Sequence, residues 1–81
     1  MFQARIYVTL KESILDPQGA AVKHALNNMN YGNIGTVRMG KMIQFDIEES
    51  DKSTAENQLK EMCEKILTNP VIENYSYELN G

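Results

Sequence analysis

Residues 2–10, FQARIYVTL, alternate without a break, with Phe2, Ala4, Ile6, Val8 and Leu10 on one side of an extended chain and Gln3, Arg5, Tyr7 and Thr9 on the other. Only a β-strand puts every second side chain on one face, so this stretch is predicted to lie half-buried in a sheet. The period then changes to that of a helix, and the change is made at Asp16-Pro17. Aspartate in that place accepts a hydrogen bond from an orphaned N–H of the first helical turn, and proline at the first helical position gives up no bond that the helix needs. A helix is therefore predicted to begin at Pro17. The connection before it, Lys11 to Asp16, carries apolar Ile14 and Leu15 where polar residues are usual, and Gly19 sits in the first helical turn. Glycine there costs about 1 kcal/mol relative to alanine, so close packing or a close-approaching partner is required to explain it.

From Pro17 to about Asn30, the residues Val22, Ala25, Leu26 and Met29 recur at helical spacing and form one apolar stripe. Asn27 to Gly35 is rich in Asn and Gly and reads as a connection. Ile34 to Met39 reads as a second strand, and Ile43, Phe45 and Ile47, alternating with Gln44, Asp46 and Glu48, as a third. Apolar parity between these two favours a three-residue turn or a bulge at 39–42 that pairs Val37 with Phe45 and Met39 with Ile43. Ser50, Asp51 and Ser53 offer caps for a second helix, Ser53 with Glu56 in capping-box spacing. That helix has the stripe Ala55, Leu59, Met62, Cys63 and Ile66, with Glu56/Lys60 and Glu61/Lys65 as solvent-side pairs. Pro70 ends it, and Val71, Tyr75, Tyr77 and Leu79 share one parity in a last strand.

Strand, helix, strand, strand, helix, strand is the order of an α+β, ferredoxin-like β-α-β-β-α-β unit. Its two crossovers place both helices on one face of a four-stranded antiparallel sheet. The other face, with Arg5, Tyr7, Arg38 and one set of last-strand side chains, has no helix left to cover it. The 81 residues form a single domain, 1–81. A chain this short buries only roughly 60% of its unfolded surface, which points to self-association or a partner.

Charge and composition exclude several functions. A formal charge of −3 with no basic run argues against a nucleic-acid partner. No signal-peptide pattern and no apolar stretch near the roughly 20 residues of a membrane span is present, and one cysteine without a partner fits a reducing compartment, so a cytoplasmic location is expected. His24, the single histidine, points away from the Val22/Leu26 stripe, and Cys63 lies within an apolar stripe. Asp46, Glu48, Glu49 and Asp51 cluster near a strand end but lack the spacing of a calcium loop. No phosphate-binding or nucleophile motif occurs. No residue is therefore assigned to catalysis, to a cofactor or to a metal.

The run LKESILDPQG at 10–19, with VRMGK at 37–41 and EMCEKILTNPVIENY at 61–75, resembles the PurS family, the small component of phosphoribosylformylglycinamidine (FGAM) synthase. The resemblance runs nearly end to end. It implies a non-catalytic subunit of purine biosynthesis that joins a glutaminase subunit to an ATP-dependent synthetase subunit and supports ammonia transfer between them. ATP and Mg²⁺ would then belong to the synthetase subunit, in an amidotransferase/ligase complex, and this chain would form a homo-oligomer, a dimer or a tetramer. The docking surface is expected at Lys11, Glu12, Ser13, Asp16, Pro17, Gln18 and Gly19, with Asn69 and Pro70. Two other readings share the topology. One is a small-molecule-binding regulatory module; the other is a small hydrolase of the acylphosphatase kind, although the loop after the first strand lacks an arginine-bearing phosphate cradle.

Overall fold

A computed structural model describes residues 1–81. Its centre is β1 (Phe2–Leu10), flanked on one side by β2 (Gly40–Ile47) and on the other by β3 (Glu73–Asn80), both antiparallel to it. Ile6 stands opposite Ile43 and Tyr77, and Ala4 opposite Phe45 and Leu79. This register collects the apolar set on one face, as the alternation in β1 demands. The other face carries Gln3, Arg5, Tyr7 and Thr9 and is left without a helix, which an antiparallel sheet tolerates.

Helix α1 spans Pro17–Asn28 and α2 spans Lys52–Met62. Asp51 caps α2, its carboxylate accepting from the Thr54 N–H at 3.1 Å and from the Thr54 hydroxyl at 2.7 Å. The capping box expected at Ser53 and Glu56 does not form, because Glu56 is turned to the sheet and accepts from the Tyr77 hydroxyl at 2.6 Å. That bond seats α2 over the β1/β3 side. Ala55, Leu59 and Cys63 are fully buried there, joining Ala4, Ile6, Val8 and Ile47 in the core. Both expected i,i+4 pairs form, Glu61/Lys65 at 2.9 Å on the solvent side and Glu56/Lys60 at 3.6 Å with Glu56 turned inward.

Beyond Met62 the helix widens into a π-helical turn, Cys63–Leu67. Thr68 closes it by giving both its N–H (3.1 Å) and its hydroxyl (2.7 Å) to the Cys63 carbonyl. A π turn rotates less per residue than an α turn. Leu67 thus stays in line with Leu59 and Cys63 and packs on the core, while Ile66, expected in the buried stripe, swings out to 81% exposure.

Two larger expectations are corrected. The sheet has three strands, not four: residues 34–39 pair with nothing in the sheet, and there is no hairpin at 39–42. Gly40 instead opens β2 directly opposite Thr9, so close to β1 that a Cβ there would meet the Val8 carbonyl. In addition, α1 does not lie on the sheet. Only Gly19 of this helix is buried, and Val22 and Met29 of its stripe are 37% and 64% exposed. The last strand also begins two residues late, at Glu73, because the Asn69 carbonyl takes the N–H groups of Ile72 (3.1 Å) and Glu73 (2.8 Å) in a turn that leaves Val71 outside.

Leu59→Ala is expected to lower the unfolding free energy by about 2–5 kcal/mol, the usual cost of emptying a buried leucine site. Ile66→Ala should cost less than about 0.5 kcal/mol, as a solvent-facing position does. Urea denaturation measures both, and a large cost at Ile66 would mean that α2 continues as a regular helix.

Candidate functional site

One end of the sheet is built almost wholly from hydrogen bonds to main-chain groups. β1 leaves the sheet at Leu10, and the Lys11 N–H donates to the Ile72 carbonyl at 2.8 Å, tying the loop 11–16 to the turn 69–72. Asn69 shapes that turn: its side chain accepts from the Val71 N–H (3.1 Å), and its own N–H donates to Glu73 (2.7 Å). The two segments singled out in the sequence are thereby neighbours.

Arg38 fixes the first of them. Its terminal nitrogen Nη2 donates to the carbonyls of Lys11 (2.7 Å) and Ile14 (2.8 Å), with Leu10 at 3.5 Å. Its Nε is shielded and has no partner. Arg38 is therefore not on the open sheet face where the alternation places it. Asp16 completes the arrangement. One carboxylate oxygen caps α1 by accepting from the Gly19 N–H at 2.9 Å, and the other accepts from the Met39 N–H at 2.7 Å. These bonds draw the start of α1 and residues 37–39 together, and a Cβ on Gly19 would collide with the Val37 carbonyl. The glycine is thus explained by close approach of the chain's own backbone.

Of the expected docking residues, Glu12, Ser13, Pro17, Gln18, Asn69 and Pro70 are exposed, Lys11 is half-buried, and Asp16 and Gly19 are buried. The exposed set has two large apolar neighbours, Leu15 (79%) and Val71 (77%), while Ile14 tucks partly inward. Arg38 and Met39 organise this end yet carry no local signal in the sequence, since their partners lie more than twenty residues away.

Elsewhere the reactive side chains lie apart. His24 is exposed on α1, and burial, then the charge of Glu64, pushes the Cys63 thiol up from its usual range. In the acidic stretch, Glu49 accepts from the Ser50 N–H at 2.9 Å and Asp51 caps α2. No three His, Cys, Asp or Glu side chains converge as a metal-binding set. No helix is long and apolar enough to cross a membrane.

Fold and loop end together define a small two-layer α+β protein with a three-stranded antiparallel sheet, one packed helix and one free helix. Known proteins share this shape. The PurS family profile, described as phosphoribosylformylglycinamidine (FGAM) synthase, matches residues 3–81, and the chain belongs to that family. The FGAM synthase subunit PurS of Bacillus subtilis is 52% identical over 79 residues, covering 98% of this chain and 93% of its own. The B. subtilis PurS crystal structure superposes with a TM-score of 0.85 at 51% identity over the whole of both chains. A chain of the structure described as PurLQS from Thermotoga maritima gives 0.87 at 29% identity, covering 96% of this chain and 95% of that one. As a PurS subunit of FGAM synthase, the protein takes part in purine biosynthesis.

The carboxyl of Asp16 is held below its ordinary value by the Gly19 N–H, then by the Met39 N–H, with the Arg38 charge adding to them. Glu56 is lowered chiefly by the Tyr77 hydroxyl, and Asp51 chiefly by the Thr54 hydroxyl. A carboxyl lowered on folding stabilises the fold above its unfolded value, near pH 4, and that stability is lost as pH falls through the folded value. Denaturant midpoints should therefore fall on acidification below about pH 4. Asp16→Asn should start from a lower midpoint at pH 7 and fall less steeply; an acid profile parallel to the parent's would show that Asp16 does not hold the loop.

Proposed function

We propose that the chain is the small, non-catalytic subunit that joins a glutaminase subunit to an ATP-dependent synthetase subunit in FGAM synthase. It keeps the two in register so that ammonia passes from one to the other. ATP and Mg²⁺ reside on the synthetase subunit, the complex works in the cytoplasm, and this subunit enters it as a homo-oligomer.

The observation that carries this reading is the construction of the loop end. Its internal polar groups are consumed in holding its own shape, through Arg38 on three carbonyls and Asp16 on two N–H groups. What remains for others is a stiff outer surface of Glu12, Ser13, Leu15, Pro17, Gln18, Asn69, Pro70 and Val71. A preformed surface with apolar side chains standing free and polar ones around them suits protein docking, because little ordering entropy is lost when it is used. It suits chemistry badly, since it offers no nucleophile beside a base. Association with a glutaminase and a synthetase follows the family, in which the PurLQS structure is a relative of this fold.

Substitution at Gly19 cannot test this surface, because any side chain there would strike the Val37 carbonyl. Glu12→Arg combined with Gln18→Arg can. In complex reconstituted with the glutaminase and synthetase subunits, the pair should cut glutamine-supported synthesis by at least about tenfold, the effect of losing roughly 1.4 kcal/mol of docking energy. Ammonia-supported synthesis and the subunit's own Tm should be unchanged. Full glutamine-supported activity would remove the loop end from the docking surface.

A further inference from the structure

We propose that the core face of the sheet, at its loop end, binds a free α-amino acid with a small aliphatic side chain, held by its two charges between Lys41 and Glu73. These residues belong to β2 and β3 and are not among those assigned to docking. The inference therefore stands whether or not the loop end meets a partner subunit.

Lys41 stands opposite Val8, and Glu73 opposite Leu10. Directly opposed residues share a face of an antiparallel pair, so a lysine and a glutamate rise on either side of β1 from the face that elsewhere carries the core. No residue of α2 lines this end, and α1 lends it only Gln18. What remains is a cavity of about 200 Å³ with Val8, Leu10 and Met39 as its apolar lining. The Lys41 ammonium and Glu73 Oε2 are 4.0 Å apart there, too far for a charge-assisted hydrogen bond of about 2.7–2.9 Å. Glu73 is fixed by its other oxygen, which accepts from the Asn69 N–H at 2.7 Å, and its side chain is only 18% exposed. Lys41, at 57%, is free to turn.

Charge, size and polarity together identify the ligand. Asp16 also lines the cavity, but its two oxygens are taken by the Gly19 and Met39 N–H groups, and its charge lies beside that of Arg38. One ammonium and one carboxylate oxygen are thus left close together without a hydrogen bond between them. A zwitterion is their complement, its carboxylate on Lys41 and its ammonium on Glu73 Oε2, where partial burial strengthens the attraction. A peptide terminus carries only one of the two charges and leaves the other group unmatched. The volume equals about six or seven waters at roughly 30 Å³ each, the scale of an amino acid such as leucine or valine. It is below the roughly 300 Å³ at which pockets for drug-sized ligands begin, so a nucleotide does not fit. Val8, Leu10 and Met39 then select an aliphatic side chain.

Titration of the full chain with L-leucine, followed by the amide NMR signals of Gly40, Lys41 and Glu73, tests this. The shifts should saturate with a Kd of about 1 mM or tighter, as a ligand of this size allows. Leucine stripped of one charge, as 3-methylbutylamine or as 4-methylpentanoate, should bind at least about tenfold more weakly, the effect of losing one charged contact. Lys41→Met and Glu73→Gln should each weaken leucine to a similar extent with Tm unchanged, and Lys41→Arg should keep it. Should Glu73→Gln lower Tm, the exposed Lys41 decides through its own two variants. Shifts that do not saturate overturn the site. Equal binding of the amine or the acid, or undiminished binding by Lys41→Met, overturns recognition of a zwitterion.

Discussion

The loop end of this protein depends on one carboxylate. Asp16 accepts from the Gly19 N–H with one oxygen and from the Met39 N–H with the other, so a residue that starts a helix also decides where the chain goes after that helix. Without the second bond, residues 34–39 would be free to fold back on β2 as a hairpin. With it, and with Arg38 spread over the carbonyls of 10–14, they are committed to the β1–α1 loop, and β2 must begin abruptly at Gly40. The same bonds hold residues 37–39 against the β1–α1 loop rather than in the sheet, which has three strands.

The core follows a different logic. It is small, with Ala4, Ile6, Val8 and Ile47 from the sheet meeting Ala55, Leu59 and Cys63 from α2. A single helix covers it, and the Tyr77–Glu56 bond ties that helix to β3. The same bond, followed by burial, pushes the Tyr77 phenol up to about 12, which marks it as a group committed to donating its proton. The π-helical turn then admits Leu67 to the core in place of Ile66 and brings the chain to the Asn69 turn, beside the loop that Arg38 holds. Packing on one side of β1 and main-chain bonding at its end thus meet in the surface proposed to dock other subunits.

Where periodicity is strict and the interactions are local, the residues were legible. The boundaries of β1, the start of α1 at Pro17 and the solvent-side pairs of α2 each depend on neighbours within four positions. The candidate segments 11–19 and 69–70 stood out through apolar Ile14 and Leu15, a costly glycine and a proline stop, and the structure places them side by side. Illegible were Arg38 and Met39, whose alternation suited a strand while their partners stood more than twenty residues away. Ile66 was misplaced for a related reason: one i to i+5 bond at Cys63 turns the stripe, and nothing in the residue types announces it.

The amino-acid order by itself determined the strands and helices that arise from side-chain period, capping and proline, because those forces act within a turn or two of the chain. It also determined the family, through runs such as LKESILDPQG. Tertiary structure alone decided which elements pair, which helix is covered and what Gly19 is for. Each of these turns on a close approach between distant segments, and a hydrogen bond such as Met39 N–H to Asp16 competes with a local hairpin by geometry that a linear pattern does not contain.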